Sequence, residues 1–166
     1  ASIVGELICA GLNNNLLAEE LSPSLSSLER NLCKWFCEKL GFGDLSGGVA
    51  ASGGSLSNLM ALVMARDIAG LANDPSAVFF ASEDSHVSFI KAVRIMGLEK
   101  DSLQKIPTDE KGQLKISCLH STLKKIKSAG KKCFAVVATL GTTVRGAIDP
   151  LSEIAQFCQK EKVWLH

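Results

Sequence analysis

The run Cys133-Phe134-Ala135-Val136-Val137-Ala138-Thr139-Leu140 most restricts the folds open to this chain. It is short, continuous and apolar, which reads as a strand covered on both faces and not as the half-solvated strand of an open antiparallel sheet. Ala77-Val78-Phe79-Phe80-Ala81 has the same character. Helical patterns stand between and after these runs. One opens at His86, carries Phe89, Ile90, Val93 and Met96, and closes at Gly97. A second spans Ile116 to Ala129 with Lys124, Lys125 and Lys127 on its solvated face. A third begins at Asp149-Pro150, with Pro at the first helical position, and buries Leu151, Ile154, Ala155, Phe157 and Cys158. Lys105-Ile106-Pro107 fits a short edge strand, where Pro is tolerated, and Val163 to His166 starts another strand. Strands alternating with helices imply right-handed crossovers. The expected fold is therefore α/β, a mostly parallel sheet between helix layers.

The first half of the chain is less regular. Asn13-Asn14-Asn15 suits a loop or a helix end. Ser22-Pro23-Ser24 opens a helix with Leu25, Leu28, Leu32, Trp35, Phe36 and Leu40 on one face, stopped by Gly41. Gly41 to Gly48 is a loop. Val49-Ala50-Ala51 reads as an extended run belonging in or beside the sheet, and a helix is expected from about Ser57 to Leu71. That helix is apolar nearly all round, so burial on more than one side is expected.

Between the extended run and the helix lies Ser52-Gly53-Gly54-Ser55-Leu56-Ser57-Asn58. Adjacent glycines allow a tight turn and close backbone approach to a ligand. The helix start behind them offers free N–H groups and a partial positive charge, which suits a phosphate or carboxylate, although a capped helix after a Gly turn would read the same way. In parallel sheets ligands bind beyond the carboxyl ends of the strands. Three polar clusters fall at such places: Ser52 to Asn58, Ser82 to His86, and Gly141 to Thr143. Their convergence favours an anion site. His86 stands at a helix start, where a cap or surface role is also common. His120 reads as structural or exposed, and the role of His166 is open.

Composition narrows the alternatives. The 166 residues carry 18 Lys and Arg against 17 Asp and Glu, a net charge of +1, which gives no electrostatic reason to expect nucleic acid or an anionic membrane as partner. No apolar run is long enough to span a bilayer. The N-terminus lacks the features of a signal peptide, and the six cysteines form no C-x-x-C pair. They are expected to be reduced thiols of a cytoplasmic protein, with no metal site. Neither the G-x-x-x-x-G-K-[ST] loop nor G-x-G-x-x-G after a strand is present.

Taken together the motifs resemble one family. Gly48-Val49-Ala50-Ala51-Ser52-Gly53-Gly54-Ser55-Leu56-Ser57-Asn58-Leu59, with Ala65-Arg66, is similar to the phosphate-binding segment of the pyridoxal-phosphate-dependent group II amino-acid decarboxylases. Ser85-His86-Val87-Ser88-Phe89-Ile90-Lys91-Ala92 resembles the segment whose His stacks on the cofactor ring. Ala138-Thr139-Leu140-Gly141-Thr142-Thr143, with Gly146, Asp149-Pro150 and Trp164-Leu165-His166, resembles a third signature. Ser22-Pro23, Leu28-Glu29 and Trp35 fit the helix that precedes the phosphate segment. The resemblance implies a type I aminotransferase-like large domain, with residues 1–46 as a leading helical segment and 47–166 as its core. It implies pyridoxal 5'-phosphate as cofactor and an L-amino acid as substrate. Gly54 and Ser55 would bind the phosphate, His86 would be the catalytic residue against the ring face, and Thr143 would lie near the ring. It also implies a homodimer. In the family an Asp that pairs with the pyridine nitrogen and the Schiff-base Lys come after the segment matched by His166. The chain is thus expected to be a truncated large domain without the C-terminal small domain, inactive when isolated. A non-catalytic domain of the same fold, or an aminotransferase or desulfurase of that fold type, are the alternatives.

Overall fold

The computed structural model describes residues 2–166. The chain divides into two compact units, Ala1–Ser52 and Gly53–His166. In the first, helix α1 covers Ser2–Leu12 and is followed by Asn13 at φ 45°, a left-handed position that Asn tolerates at a helix end. A single 3-10 turn, Glu19–Leu21, precedes helix α2, Pro23–Lys39. Arg30 of α2 grips the Glu19 carboxylate with two hydrogen bonds of 2.7 and 3.1 Å. The apolar stripe expected on α2 is present, but it is half open to solvent: Leu28, Leu32, Trp35 and Phe36 are all exposed, and Ser26 is the buried residue of the helix. Val49–Ala51 is not a strand. The Ala50 N–H donates to the Glu29 carboxylate at 2.8 Å, so a side chain takes the bond that a neighbouring strand would have made.

The second unit holds the sheet. Helix α3 is Gly54–Ile68, strand β1 Ala77–Ser82, helix α4 Ser88–Ile95 and strand β2 Leu103–Ile106. Helix α5, Ile116–Ser128, strand β3, Lys132–Val136, helix α6, Leu151–Glu161, and strand β4, Trp164–Leu165, complete it. The strand order is β2-β1-β3-β4 and all pairings are parallel. The expected parallel sheet between helix layers is what forms, with β2 at an edge. Among the boundaries that differ from expectation, three have a cause in local hydrogen bonding or capping. Helix α3 starts three residues earlier, because Gly53 supplies the first carbonyl, bonded by both Leu56 and Ser57 N–H groups. Strand β3 is regular to Val136; Val137 and Ala138 still donate to the Phe80 and His166 carbonyls, and the chain leaves the ladder at Thr139, whose N–H goes to Asp149. Pro150 is the N-cap of α6, not its first helical residue.

Every residue of β1 is buried. Ala77, Phe79 and Ala81 face a core shared with Leu62 and Ala65 of α3 and Phe89, Ala92 and Val93 of α4. Val78 and Phe80 face the opposite core, with Leu119, Leu123 and Ile126 of α5 and Ile154, Phe157 and Cys158 of α6. This is the period-two alternation of a strand buried on both sides. Each large side chain removed from water there contributes about 1.5–3 kcal/mol. Strand β3 departs from the alternation at one place. Val78 pairs with Cys133 and Phe79 with Ala135, so Phe134 is an extra, unpaired residue, a β-bulge. Phe134 and Ala135 consequently lie in the same core, where the Phe134 ring packs 5.5 Å from that of Phe79. Helix α3 was expected to be buried on more than one side. Leu62 and Ala65 are buried, but Met64 and Ile68 are exposed, so it packs on one side.

Candidate functional site

A pocket of about 230 Å³ lies beyond the carboxyl ends of three strands. Asp84 and His86 follow β1, Val137 to Thr143 follow β3, and His166 follows β4. Asn58 enters from α3 and Phe89 from α4. The parallel ladder continues into this wall: Ala138 N–H donates to the His166 carbonyl at 2.8 Å, and His166 N–H to the Val136 carbonyl at 2.9 Å. The backbone positions of the lining are therefore fixed by the sheet.

The segment after β3 is held by a buried carboxylate. Asp149, 2% exposed, accepts from Leu114 N–H through Oδ1 and from Thr139 N–H through Oδ2, each at 2.8 Å. Asp149 N–H returns a bond to the Thr139 carbonyl at 2.9 Å, and Leu140 pairs with Ile148. Within the loop thus closed, Thr142 is buried, with its hydroxyl accepting from Ala147 N–H at 3.0 Å. Thr143 is exposed and lines the pocket. The loop leans on the turn at Gly112, whose φ is 78°. A Cβ there would meet Arg145 Cδ at 3.0 Å and Ala147 Cβ at 3.1 Å. Asp149 was read in the sequence as part of a helix start; it caps nothing and serves as this tie instead.

Of the expected site residues, the structure brings His86 and Thr143 together on one pocket. Gly54 and Ser55 do not line it. They lie in the exposed first turn of α3, while the same helix reaches the pocket through Asn58, four residues on. Residues four apart share a helix face and are about 6 Å apart along the axis. The α3 start has no side-chain cap, and nothing lies within 4 Å of a Cβ built on Gly53 or Gly54. Its first N–H groups thus keep the free donors of a helix N-terminus.

Four polar side chains form a connected line at the pocket, His86, Asn58 and His166 in its lining and Ser88 behind it. His166 also meets the Phe89 ring edge-on at 6.0 Å, and burial lowers its pKa below the ordinary histidine value. The formally charged residue of the lining is Asp84. Its Oδ2 is buried without a hydrogen-bond partner, and the Arg145 Nε lies 3.6 Å away, beyond hydrogen-bond distance. Sequence reasoning assigned no role to Asp84, Asn58 or Ser88. The signal was present only in part: Asn58 and Ser88 sit inside the quoted motifs and Asp84 in the polar cluster Ser82 to His86, but neither says which side chains meet. His120, away from the pocket, packs edge-on against Phe157 at 4.9 Å.

A family profile described as "Pyridoxal-dependent decarboxylase conserved domain" matches residues 1–166. The aromatic-L-amino-acid decarboxylase of Bacillus atrophaeus is 36% identical over 165 residues, covering 99% of this chain and 34% of that protein. The acidic amino acid decarboxylase of Xenopus tropicalis is 36% identical over 172 residues, again covering 99% and 34%. A solved structure, the glutamate decarboxylase domain of diaminobutyrate-pyruvate transaminase and L-2,4-diaminobutyrate decarboxylase from Vibrio parahaemolyticus, is similar with a TM-score of 0.93 and 28% identity, covering 99% of this chain and 39% of that one. The chain spans about a third of the length of the curated relatives it matches.

Proposed function

This chain belongs to the pyridoxal-dependent decarboxylase family, and on that premise we propose that the protein containing it removes the α-carboxylate of an L-amino acid with pyridoxal 5'-phosphate. The observation that carries the reading is the convergence of Asp84, His86, Thr139 to Thr143 and His166 on one pocket past the ends of three parallel strands, with the uncapped start of α3 one turn from Asn58. The donor set fits this cofactor. Uncapped helix N–H groups at Gly54 and Ser55, with open space beside the glycines, suit its phosphate. The exposed imidazole of His86 suits a flat aromatic ring.

When bound, pyridoxal phosphate supplies an electron sink for the charge left as carbon dioxide departs. The residues of this chain bind and orient. Gly54 and Ser55 would hold the phosphate, His86 would lie against the ring, and Thr143 would stand near the reacting end. No lysine lines the pocket among the described residues. The covalent anchor of the cofactor is therefore assigned to a lysine outside residues 1–166.

Full-length protein should release carbon dioxide from an L-amino acid only when supplied with pyridoxal phosphate. His86→Ala should cost about 100-fold in rate, the scale of lost positioning at a reacting centre. His120→Ala, whose ring packs on Phe157, should change the rate little. Borohydride should fix the cofactor to one lysine, identified by peptide mapping. Labelling of a lysine within residues 1–166 would overturn the assignment of the anchor, and absence of cofactor-dependent carbon dioxide release would overturn the function.

A further inference from the structure

The contacts behind His86 have a fixed direction. Ser88 N–H donates to His86 Nδ1 at 3.2 Å. A backbone N–H can only donate, so Nδ1 is an acceptor and carries no proton. Ser88 Oγ lies 2.9 Å from the same nitrogen, so its hydroxyl proton also points there. That hydroxyl in turn accepts from Asn58 Nδ2 at 2.9 Å. The other end of the Asn58 amide, Oδ1, lies 3.0 Å from His166 Nε2 and can only accept. His166 therefore carries its proton on Nε2. The line runs from His166 through Asn58 and Ser88 to His86, and the one ring proton of His86 is left on Nε2, the nitrogen away from Ser88.

The supports are firmer than the residue they serve. Ser88 is 2% exposed, at the start of α4, and Asn58 and His166 are half-buried on α3 and after β4. His86 itself is exposed in the pocket wall. Three separate elements thus converge on one side of an imidazole whose other side is open.

We propose that Asn58, Ser88 and His166 are positioning residues that set the ring orientation and tautomer of His86, so that it presents an Nε2–H donor to the pocket. The tautomer follows from the geometry alone; its use toward a cofactor rests on the function proposed above. Without these partners the ring would turn about its side-chain bonds and could offer the pocket a bare nitrogen instead of a donor.

The test is magic-angle-spinning NMR of full-length cofactor-free protein labelled with 15N in the histidine rings, with His86 assigned by difference against His86→Gln. In the wild type, Nδ1 of His86 should resonate as an unprotonated acceptor and Nε2 as a protonated nitrogen. Asn58→Asp keeps the shape but replaces the amide donor with a carboxylate. The Ser88 hydroxyl should then turn to that carboxylate, leaving the Ser88 N–H as the one donor to His86 Nδ1, and the resonance of that unprotonated nitrogen should move toward the position of a less strongly hydrogen-bonded one. In the reconstituted enzyme the same variant should lose roughly 10- to 100-fold in kcat, the usual cost of removing an orienting partner, with KM little changed. A proton on Nδ1 in the wild type would overturn the proposal. So would a folded Asn58→Asp protein whose His86 resonances match the wild type. Because the spectra are read without cofactor, they report on the positioning line even if the decarboxylase reading fails.

Discussion

Asp149 shows how much of the pocket rests on one side chain. Its two oxygens each accept a backbone N–H, one from Leu114 and one from Thr139, in a site almost without solvent. Asp149→Ala strands both amides, at roughly 1–3 kcal/mol for each unsatisfied group. We expect the urea midpoint to fall accordingly, with the denaturant slope unchanged, and we expect amide exchange to quicken from Thr139 to Thr143. A midpoint equal to the wild type would show that water or a shifted backbone replaces the carboxylate. The sequence could not have announced this. An Asp before Pro at a helix start is a strong local signal for a cap, and its true partners lie 10 and 35 residues away. The same holds for Asn58, whose contacts are 30 and 108 residues distant. That His86 and Thr143 would share a pocket was legible because they sit in motifs; the side chains that hold the pocket wall were not, because a hydrogen bond between separate elements leaves no local pattern.

Among the elements, those whose pattern is set by burial on both faces were the most legible. Strand β1 and helices α5 and α6 lie within a residue or two of where the apolar pattern puts them. Val49–Ala51 misled because three apolar residues do not specify a pairing partner, and Glu29 took the Ala50 amide first. The end of β3 misled for a different reason. Val137 to Leu140 is as apolar as the strand, but Asp149 draws Thr139 out of the ladder to form the rim. Helix α3 is apolar on faces that the structure leaves in solvent, and the two sides of one helix should therefore answer mutation differently. Leu62, fully buried, should lose about 2–5 kcal/mol on change to Ala. Met64, 56% exposed and two residues further on, should lose less than about 1 kcal/mol. Equal losses in thermal or chemical denaturation would mean that the exposed face of α3 is covered in the protein as purified.

At the scale of the whole molecule, the sheet of the second unit separates two cores that share no side chain. One lies against α3 and α4, the helices that supply Asn58, Ser88 and Phe89 to the pocket and its supports. The other lies against α5 and α6. Strand β3 serves both, and it does so with one residue to spare. Phe134 has no partner across the ladder, and the alternation resumes on either side of it. Cutting Phe134 out of the chain should therefore leave each remaining residue on its present side and close the strand into regular register. The loss should be that of the Phe134 ring, about 3–5 kcal/mol, the same as for Phe134→Ala. Cutting out Val136, two residues later, should turn every following side chain to the wrong core and abolish the cooperative transition. If the two deletions proved equally harmful, Phe134 would not be surplus to the register. If they differ as expected, the strand has slack: its length can change by one link at this place alone, and the residues that greet a ligand beyond its end would not register the change.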